Sequence, residues 1–396
     1  MTRLIVSTNC RGVLYNETSG WLYVIDLGER RILQKTKGIE PPFRARDVNP
    51  RGGMRGMRGM SIYSGEIAVA NYSTVFFFDR RWNFLRAFTH PSISAIHEIL
   101  CVKDGVWVTS TANDLLAKFD LYGKLTEFHL IRQQVDVMKQ LRATTRRTLR
   151  PQDILKPKVD FRRRSYFNSD LYDRTHLNSL AVAGDGRVLL LLGLIVNDYF
   201  SFLMNIKTLL LKLKVWDIFL SFNRVLRAIL HLEKPLHSEL ILPPAKGKSA
   251  VLCFDDSKPW EIILQCTVAH NPSHSIRVLR DGTCIYLDTS SGAIVHFNMQ
   301  GNVLSNTPVT QKFLRGACEL WDGQLVVGAG NTLLLFGLAE RKIVDQIELS
   351  NDPSESVFDI KILPPDFHLP PESLEAITGH MIGFDGERIL WTQEKR

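Results

Sequence analysis

Histidine, asparagine and arginine recur in this chain at the entrances of short apolar runs, where a strand needs none of them. His176 and Asn178 precede SLAV, His97 and Glu98 precede ILCV, and His270, Asn271 and His274 precede IRVL. Arg315 precedes CEL, Arg55 and Arg58 precede SIY, and Asp359 sits within VFDIKI. An imidazole with a pKa near 6.5 can act as nucleophile or general base, and His176 and His274 are the candidates for that role. Asn178, His270, Asn271, Arg315, Arg58 and His97 supply donors suited to an anion or a polarised oxygen, so they form the candidate substrate-binding set. A divalent metal is the second chemistry: His97, His176 and either His270 or His274 could donate imidazoles from separate segments, with Arg315 opposing the cation. Against both stands a structural role, in which each histidine only hydrogen-bonds between neighbouring elements.

What must position these residues is a repeat. Several segments share one order: an apolar strand, an Asp-Gly turn, a second apolar strand, then another strand opening near Asp or Asn. SIYSGEIAVANYSTVFFFDRRWNFLRAF from Ser61 aligns in this way with EILCVKDGVWVTSTANDLLAKFDLYGKLTEF from Glu98. IRVLRDGTCIYLDTSSGAIVHFNMQGNVL from Ile276 and CELWDGQLVVGAGNTLLLFGLAERKIV from Cys318 follow the same order, and SLAVAGDGRVLLLLG from Ser179 opens it. Asp104-Gly105, Asp185-Gly186, Asp281-Gly282 and Asp322-Gly323 supply the tight hairpins, where residues tolerant of positive φ are needed. Units of about 40 residues match a four-stranded propeller blade. The fold expected is therefore all-β: one β-propeller over residues 1–396, with six blades and seven as the alternative. LIVSTNCRGVLY, near the N-terminus, closes the ring with VFDIKILPP. A β-sandwich would not repeat at this length. The channel mouth, where inner strands begin, is then the shared address of the polar residues.

Two insertions break the period. Residues 131–173 are basic: from Ile131 to Arg174 there are twelve Lys/Arg and five Asp/Glu, so this stretch carries nearly all of the net charge of +8. Only Tyr166 and Phe167 follow its RRR run, so the aromatic platforms of a nucleic-acid surface are missing and nucleic acid is not the expected partner. A solvated loop or one touching anionic headgroups accounts for the charge. Residues 197–247 form the second insertion, with no Gly or Pro from Tyr199 to Glu233. Polar stripes at Ser201, Asn205, Thr208 and Lys212, then at Asp217, Ser221, Arg224, Arg227 and His231, mark it as an amphipathic helical segment. Charges at Lys207, Lys212, Lys214 and Asp217 interrupt it too often for a membrane span. Residues 199–233 therefore either cap the propeller, meet a protein partner, or lie at a membrane surface, the cap or partner being favoured.

The remaining composition is that of an ordinary globular chain, 45% hydrophobic and 23% charged. Six scattered cysteines without a C-x-x-C pair argue against a zinc ribbon or disulfide framework. MTRLIVSTNC lacks the apolar stretch of a signal peptide. The expected location is cytoplasmic, with contact at a membrane surface through the second insertion as the alternative. GGMRGMRGM, from Gly52, has neither the G-K-[ST] ending nor the following helix of a phosphate loop.

D-x-T-H-L-N-S, the H-N-P-S-H segment ahead of L-R-D-G-T, and F-L-R-G-A-C together resemble an uncharacterised family of bacterial β-propeller proteins, in which His-Leu-Asn, His-Ser and Arg-Gly motifs mark successive blades. That resemblance implies a fold, not an activity. A weaker one is to the arylsulfate sulfotransferases: their H-x-N-S motif is similar to His176-Leu177-Asn178-Ser179, and their nucleophilic-histidine segment to HSIRVLRDGTCIYLD. It implies sulfuryl transfer to His274, with His176, Asn178 and Arg315 on the transferred oxygens. No arginine occupies the strand after Asn178, where that family has one. Streptogramin-lyase and gluconolactonase propellers are similar in repeat only, around VWVTSTANDLLAKFD. The function expected is a small-molecule-binding propeller, of transferase or hydrolase type, acting on an anionic or phenolic substrate. The alternative is a non-catalytic scaffold working through its insertions.

Overall fold

A computed structural model describes residues 2–10, 18, 20–39, 56–145, 148–163, 172–198, 247–255, 258–268, 271–374, 379–382 and 388–391, together with Phe202, Leu209, Leu213, Val215, Ile218, Phe222, Val225 and Ile229. Its strands form six sheets, and the innermost strands neighbour one another in a closed ring. The chain is a six-bladed β-propeller; the seven-bladed alternative is excluded by that closure.

Blade one joins both ends of the chain. Glu355–Leu363 is innermost and pairs antiparallel with Arg3–Cys10, followed outward by Trp21–Asp26 and Arg31–Lys37. Blade two runs outward from Met60–Tyr63 through Glu66–Ala70 and Thr74–Asp79 to Phe84–Thr89. Blade three is Ile96–Val102, Gly105–Ser110, Leu115–Phe119 and Leu125–Leu130. Blade four is Leu177–Val182, Val188–Ile195, Gly247–Asp255 and Lys258–Val268. Blade five is His274–Val278, Cys284–Asp288, Ala293–Phe297 and Val303–Pro308; blade six is Leu314–Glu319, Leu325–Ala329, Thr332–Gly337 and Lys342–Glu348. Blade two gains two further strands: Gly379–Ile382 pairs parallel with its outer strand and carries Arg388–Trp391. Nothing in the sequence repeat announces that extension.

The apolar runs are explained by what each blade faces. Six hydrophobic clusters fill the six gaps between neighbouring blades, one per gap. The second strands are covered on both faces, so Gly105–Ser110 is buried throughout and reads as a continuous apolar run. Outer strands such as Lys342–Glu348 are mostly exposed and polar. Three of the four Asp-Gly turns share one geometry. In each, the glycine N–H donates three residues back, to Ala183, Leu279 or Leu320, and only the glycine is left-handed, at φ 87°, 80° and 81°. The aspartate accepts from the N–H two residues on, at Arg187, Thr283 or Gln324. These are type I turns with a glycine bulge, not the two-residue hairpins that the dipeptide also permits.

Between blades three and four the chain forms a packed layer. Helix α1, Val135–Leu141, buries Val137, Met138 and Leu141 against Trp107 and Leu116. Helix α2, Pro151–Leu155, buries Ile154 beside Phe161 and Leu149 over blades two and three. The basic surplus of this stretch is partly internal: Arg132, Arg162 and Arg174 are buried, with Arg132 on Asp114 at 2.9 Å and Arg162 on Asp160 at 2.8 Å. Those three therefore offer no cationic surface to headgroups or nucleic acid. The second insertion leaves blade four after Ile195 and returns at Gly247. Its polar stripes, from Ser201 to His231, lie outside the described residues.

His90, at the turn into blade three, shows a histidine used for packing. Its ring is buried against Phe119 at 5.8 Å, and its Nδ1 accepts the Ser92 N–H at 3.1 Å. Burial, reinforced by Arg162, pushes its pKa from 6.5 down to about 4. The folded chain thus refuses a proton that the unfolded chain accepts, so stability is lost as pH falls from 6.5 towards 4. The loss expected from this one ring is about 3 kcal/mol. Urea unfolding across that pH range should give a shallower decline for His90→Asn than for the natural chain. Parallel curves would show that the ring titrates freely in the folded state.

Candidate functional site

Every inner strand is interrupted near its start, and the interruptions aim side chains into the channel. In blade three, His97 and Glu98 together oppose one partner residue, Thr109; in blade five, Ser275 and Ile276 oppose Tyr286. Arg315 and Gly316 oppose Gly328 in blade six. Asn178 is the extra residue of blade four and Phe358 that of blade one. Blade two shows a related shift, with Arg58 and Gly59 both bonded to Ala70. Left-handed backbone accompanies four of these bulges, at Ala95, His176, Ser275 and Gly316. A bulge bends a strand and re-aims its residues, which is why polar residues mark the blade entrances.

Three imidazoles at these strand starts meet. His97, His176 and His274 come from blades three, four and five, and their ligand nitrogens lie within 4.8 Å of one another. The rings are packed together: His97 and His176 are 5.2 Å apart edge to face, while His97 and His274 are stacked at 6.1 Å. Each ring is held by its Nδ1. His176 Nδ1 is 2.8 Å from the carboxylate of Asp173, which also accepts the His176 N–H at 3.0 Å. His97 Nδ1 is 2.8 Å from the Ala95 carbonyl and 2.8 Å from the Thr111 hydroxyl, whose own proton goes to Leu177 O. His274 Nδ1 is 2.9 Å from the Thr289 hydroxyl, whose proton goes to Leu314 O at 2.9 Å. In all three cases the partner can only accept, so Nδ1 carries the proton and Nε2 the lone pair.

Arginines surround this group. The Arg315 guanidinium lies 3.6 Å from the centroid of Phe358, and that of Arg58 lies 5.2 Å from the same ring. Arg58 also donates to Ile96 O at 2.9 Å, and the His97 ring is 5.5 Å from Phe358. Removal of water from around His97 holds its pKa well below 6.5, helped by Arg315, His176, Arg58 and His274 in that order. That imidazole is therefore neutral at physiological pH. Asn178 lies on the same wall, buried, with Nδ2 donating to Ser273 O at 2.6 Å. Its Oδ1 is buried without a hydrogen-bond partner among the described residues.

Next to the imidazoles an ionic knot ties the inner strands together. Arg277 binds Glu98 of blade three and, at 2.9 Å, Asp359 of blade one, and its Nε donates to Ala317 O of blade six at 2.8 Å. Glu98 also accepts the Ser179 hydroxyl of blade four, and Asp359 accepts the Met60 N–H of blade two at 2.9 Å. Lys361 adds a cation 3.1 Å from Asp359. Glu98, Arg277 and Asp359 line the same cavity as His97, His274, Asn178 and Arg315.

The structure thus gathers His97, His176, His274, Asn178, Arg58 and Arg315 at one mouth. Asn271 meets Ser290 through its backbone and is not among the cavity residues. His270 and Arg55 lie outside the described residues. Sequence reasoning passed over Arg277 and Phe358, which sit inside apolar runs, and the residues that orient the rings, Asp173, Thr111 and Thr289. Asp173 had a usable signal: in Asp-x-x-His the carboxylate reaches both the backbone and the ring of the histidine three residues on. Behind it, Asp114 accepts from the N–H groups of Arg174 and Thr175 and so holds the turn that presents His176.

No family model matches the chain, and no curated protein matches it. Solved structures match in fold. A protein of unknown function from Bacteroides caccae is 10% identical, with a TM-score of 0.48, over 91% of this chain and 98% of that one. A catalytically inactive virginiamycin B lyase from Staphylococcus aureus with quinupristin is 10% identical, TM-score 0.41, over 75% of this chain and 71% of that one. The WD40 propeller domain of Doa1 is likewise 10% identical, TM-score 0.41, over 92% and 95%. What they share with this chain is the propeller.

Arg277→Ala would leave Glu98 and Asp359 buried around a missing cation. The expected cost is about 3 kcal/mol, at the low end for a broken buried pair because Lys361 remains. Combining Arg277→Met with Glu98→Gln and Asp359→Asn should recover most of it. Urea denaturation of the two variants checks this; a single variant as stable as the natural chain would show that the knot does not hold the blades.

Proposed function

We propose that this propeller is a metal-dependent, small-molecule-binding protein of hydrolase or transferase type. His97, His176 and His274 would hold one divalent transition metal ion at the channel mouth. The observation that carries this reading is the common orientation of the three rings, each with Nδ1 spent on an acceptor and Nε2 bearing the lone pair. A ligating histidine characteristically donates its other nitrogen in this way. The set of acceptors here is the usual one: a carboxylate, a carbonyl and hydroxyls. Zinc on imidazole requires about 2.0–2.1 Å per bond, so a bound ion would draw the ligand nitrogens, now within 4.8 Å of one another, somewhat closer together. Asn178, whose unpartnered Oδ1 belongs to the same cavity wall, would be the residue to add an oxygen donor. Three imidazoles with an amide oxygen suit Zn2+, Fe2+ or Mn2+.

The substrate class follows from charge. Arg58 and Arg315 share one aromatic ring beside the metal position, and a dication would add to their mutual repulsion. An anionic ligand relieves it, so the substrate presents a carboxylate, phosphate, sulfate or phenolate oxygen to the metal and the guanidinium groups. The metal's contribution would be to polarise that oxygen or to acidify a bound water. The Asp173–His176 pair favours a second reading, in which His176 is a metal-free base or nucleophile oriented by its carboxylate, with His274 beside it.

Elemental analysis of the purified full chain separates the two. The metal reading expects about one transition metal ion per chain, lost from His97→Ala and His274→Ala, with heat stability of the natural chain rising on metal addition. Metal-free protein that gains neither metal nor stability from added Zn2+, Fe2+ or Mn2+ would overturn it and leave the histidine base.

A further inference from the structure

The second insertion is rooted at the channel mouth. Gly193 N–H donates to His176 O at 3.0 Å, Val196 N–H donates to Arg174 O at 2.8 Å, and the Thr144 hydroxyl donates to Asp198 at 2.7 Å. The chain therefore departs blade four directly beside His176 and Asn178. Beyond that root, eight apolar residues are described; Val215 is half-buried and the other seven are exposed. Phe202, Leu209, Leu213, Ile218, Phe222, Val225 and Ile229 keep between 55% and 70% of their surface open. All but Leu213 are helical, and Leu213 N–H donates to Leu209 O at 3.0 Å.

Their spacing gives them a direction. At about 100° per residue, Phe202, Leu209 and Leu213 fall on one line, and Ile218, Phe222, Val225 and Ile229 on another. Each line is an apolar stripe that does not pack on the propeller, so the cap expected for this segment does not cover these residues. The same stretch of sequence, from Tyr199 to Glu233, carries Lys207, Lys212, Lys214, Arg224 and Arg227 against two acids, Asp217 and Glu233. Two short exposed apolar stripes in a basic stretch of sequence match a segment lying in a membrane interface, with apolar side chains among the acyl chains and ammonium and guanidinium groups among the headgroups. A second copy of the chain would bring the same cations into contact with these, whereas anionic lipid neutralises them, at about 1 kcal/mol per basic residue. No helix among the described residues is long and apolar enough to cross a membrane.

We propose that residues 199–233 dock this protein on an anionic lipid surface through Phe202, Leu209, Leu213, Ile218, Phe222, Val225 and Ile229, setting the mouth of the channel toward the headgroups. This is independent of whether the imidazoles hold a metal.

The test is co-sedimentation of the full chain with vesicles of phosphatidylcholine alone and of phosphatidylcholine mixed with phosphatidylglycerol. Binding should be at least roughly tenfold tighter to the mixed vesicles and weaken as salt is raised. The exposed double variant Phe222→Asp, Ile229→Asp should lose binding by roughly tenfold or more, and Arg224→Gln with Arg227→Gln should lose the preference for anionic lipid. Metal content of both variants should equal that of the natural chain, so a failure here is separate from a failure of the metal centre. Equal binding to both vesicle types, or binding unchanged in Phe222→Asp, Ile229→Asp, would overturn the proposal. So would a stable dimer in light scattering that this variant dissociates, since the stripes would then belong to a second copy.

Discussion

Arg277 is the point at which the six blades meet. Its guanidinium holds carboxylates from two blades and a carbonyl from a third, and those carboxylates take a hydroxyl and a backbone N–H from two more. The residue itself belongs to blade five, so every blade is represented in one buried network. Such a knot contributes little net stability beyond what an apolar plug would supply, because each ion loses its water. What it does is fix register. The side chains above it are placed by bulges whose geometry depends on where each inner strand stops sliding, and the knot pins those strands at the level just below.

The bulges convert a repeat into a site. A regular strand alternates its side chains between the two faces of a blade and sends none of them cleanly along the channel. An extra residue breaks that alternation, and here it does so at the same level in successive blades. The chemistry at or just before each bulge is then free to differ: imidazole in three blades, guanidinium in two, phenyl in one. The fold supplies convergence and the individual blade supplies the group. This also explains why the ring needs so much support behind it. Left-handed backbone at His176 and Ser275 is held by side-chain bonds: from Asp173 to the His176 N–H, and from Ser275 to the Gly316 N–H at 2.8 Å.

Much of the architecture was legible because it is written in local signals. Asp-Gly turns, apolar runs of strand length and a recurrence near 40 residues need no tertiary information, and they mark where inner strands begin. The polar residues at those starts could therefore be gathered at one mouth by topology alone, which is how His97, His176, His274, Asn178, Arg58 and Arg315 were found together. Blade number was less legible, since two insertions blur the period and only the pairing of Arg3–Cys10 with Glu355–Leu363 counts the ring. Arg277 was hidden because it stands in an apolar strand and its partners lie 179 and 82 residues away. Thr111 and Thr289 were hidden for a different reason: a threonine near a strand end is unremarkable until the direction of its hydroxyl proton is known.

That direction is what separates a metal centre from three packed histidines. Imidazoles stacked merely to fill a channel would satisfy whichever nitrogen lay nearest a partner, and donors and acceptors would be mixed among them. His90 behaves in that way, with Nδ1 accepting from the backbone. In the channel all three rings present the same tautomer, each enforced by a group that has no proton to give. Nε2 then carries the lone pair in each ring, on the three imidazoles whose ligand nitrogens lie within 4.8 Å of one another. A small cation held by these nitrogens, with an anion spanning it and the guanidinium groups, would satisfy the lone pairs and the crowded positive charge at once.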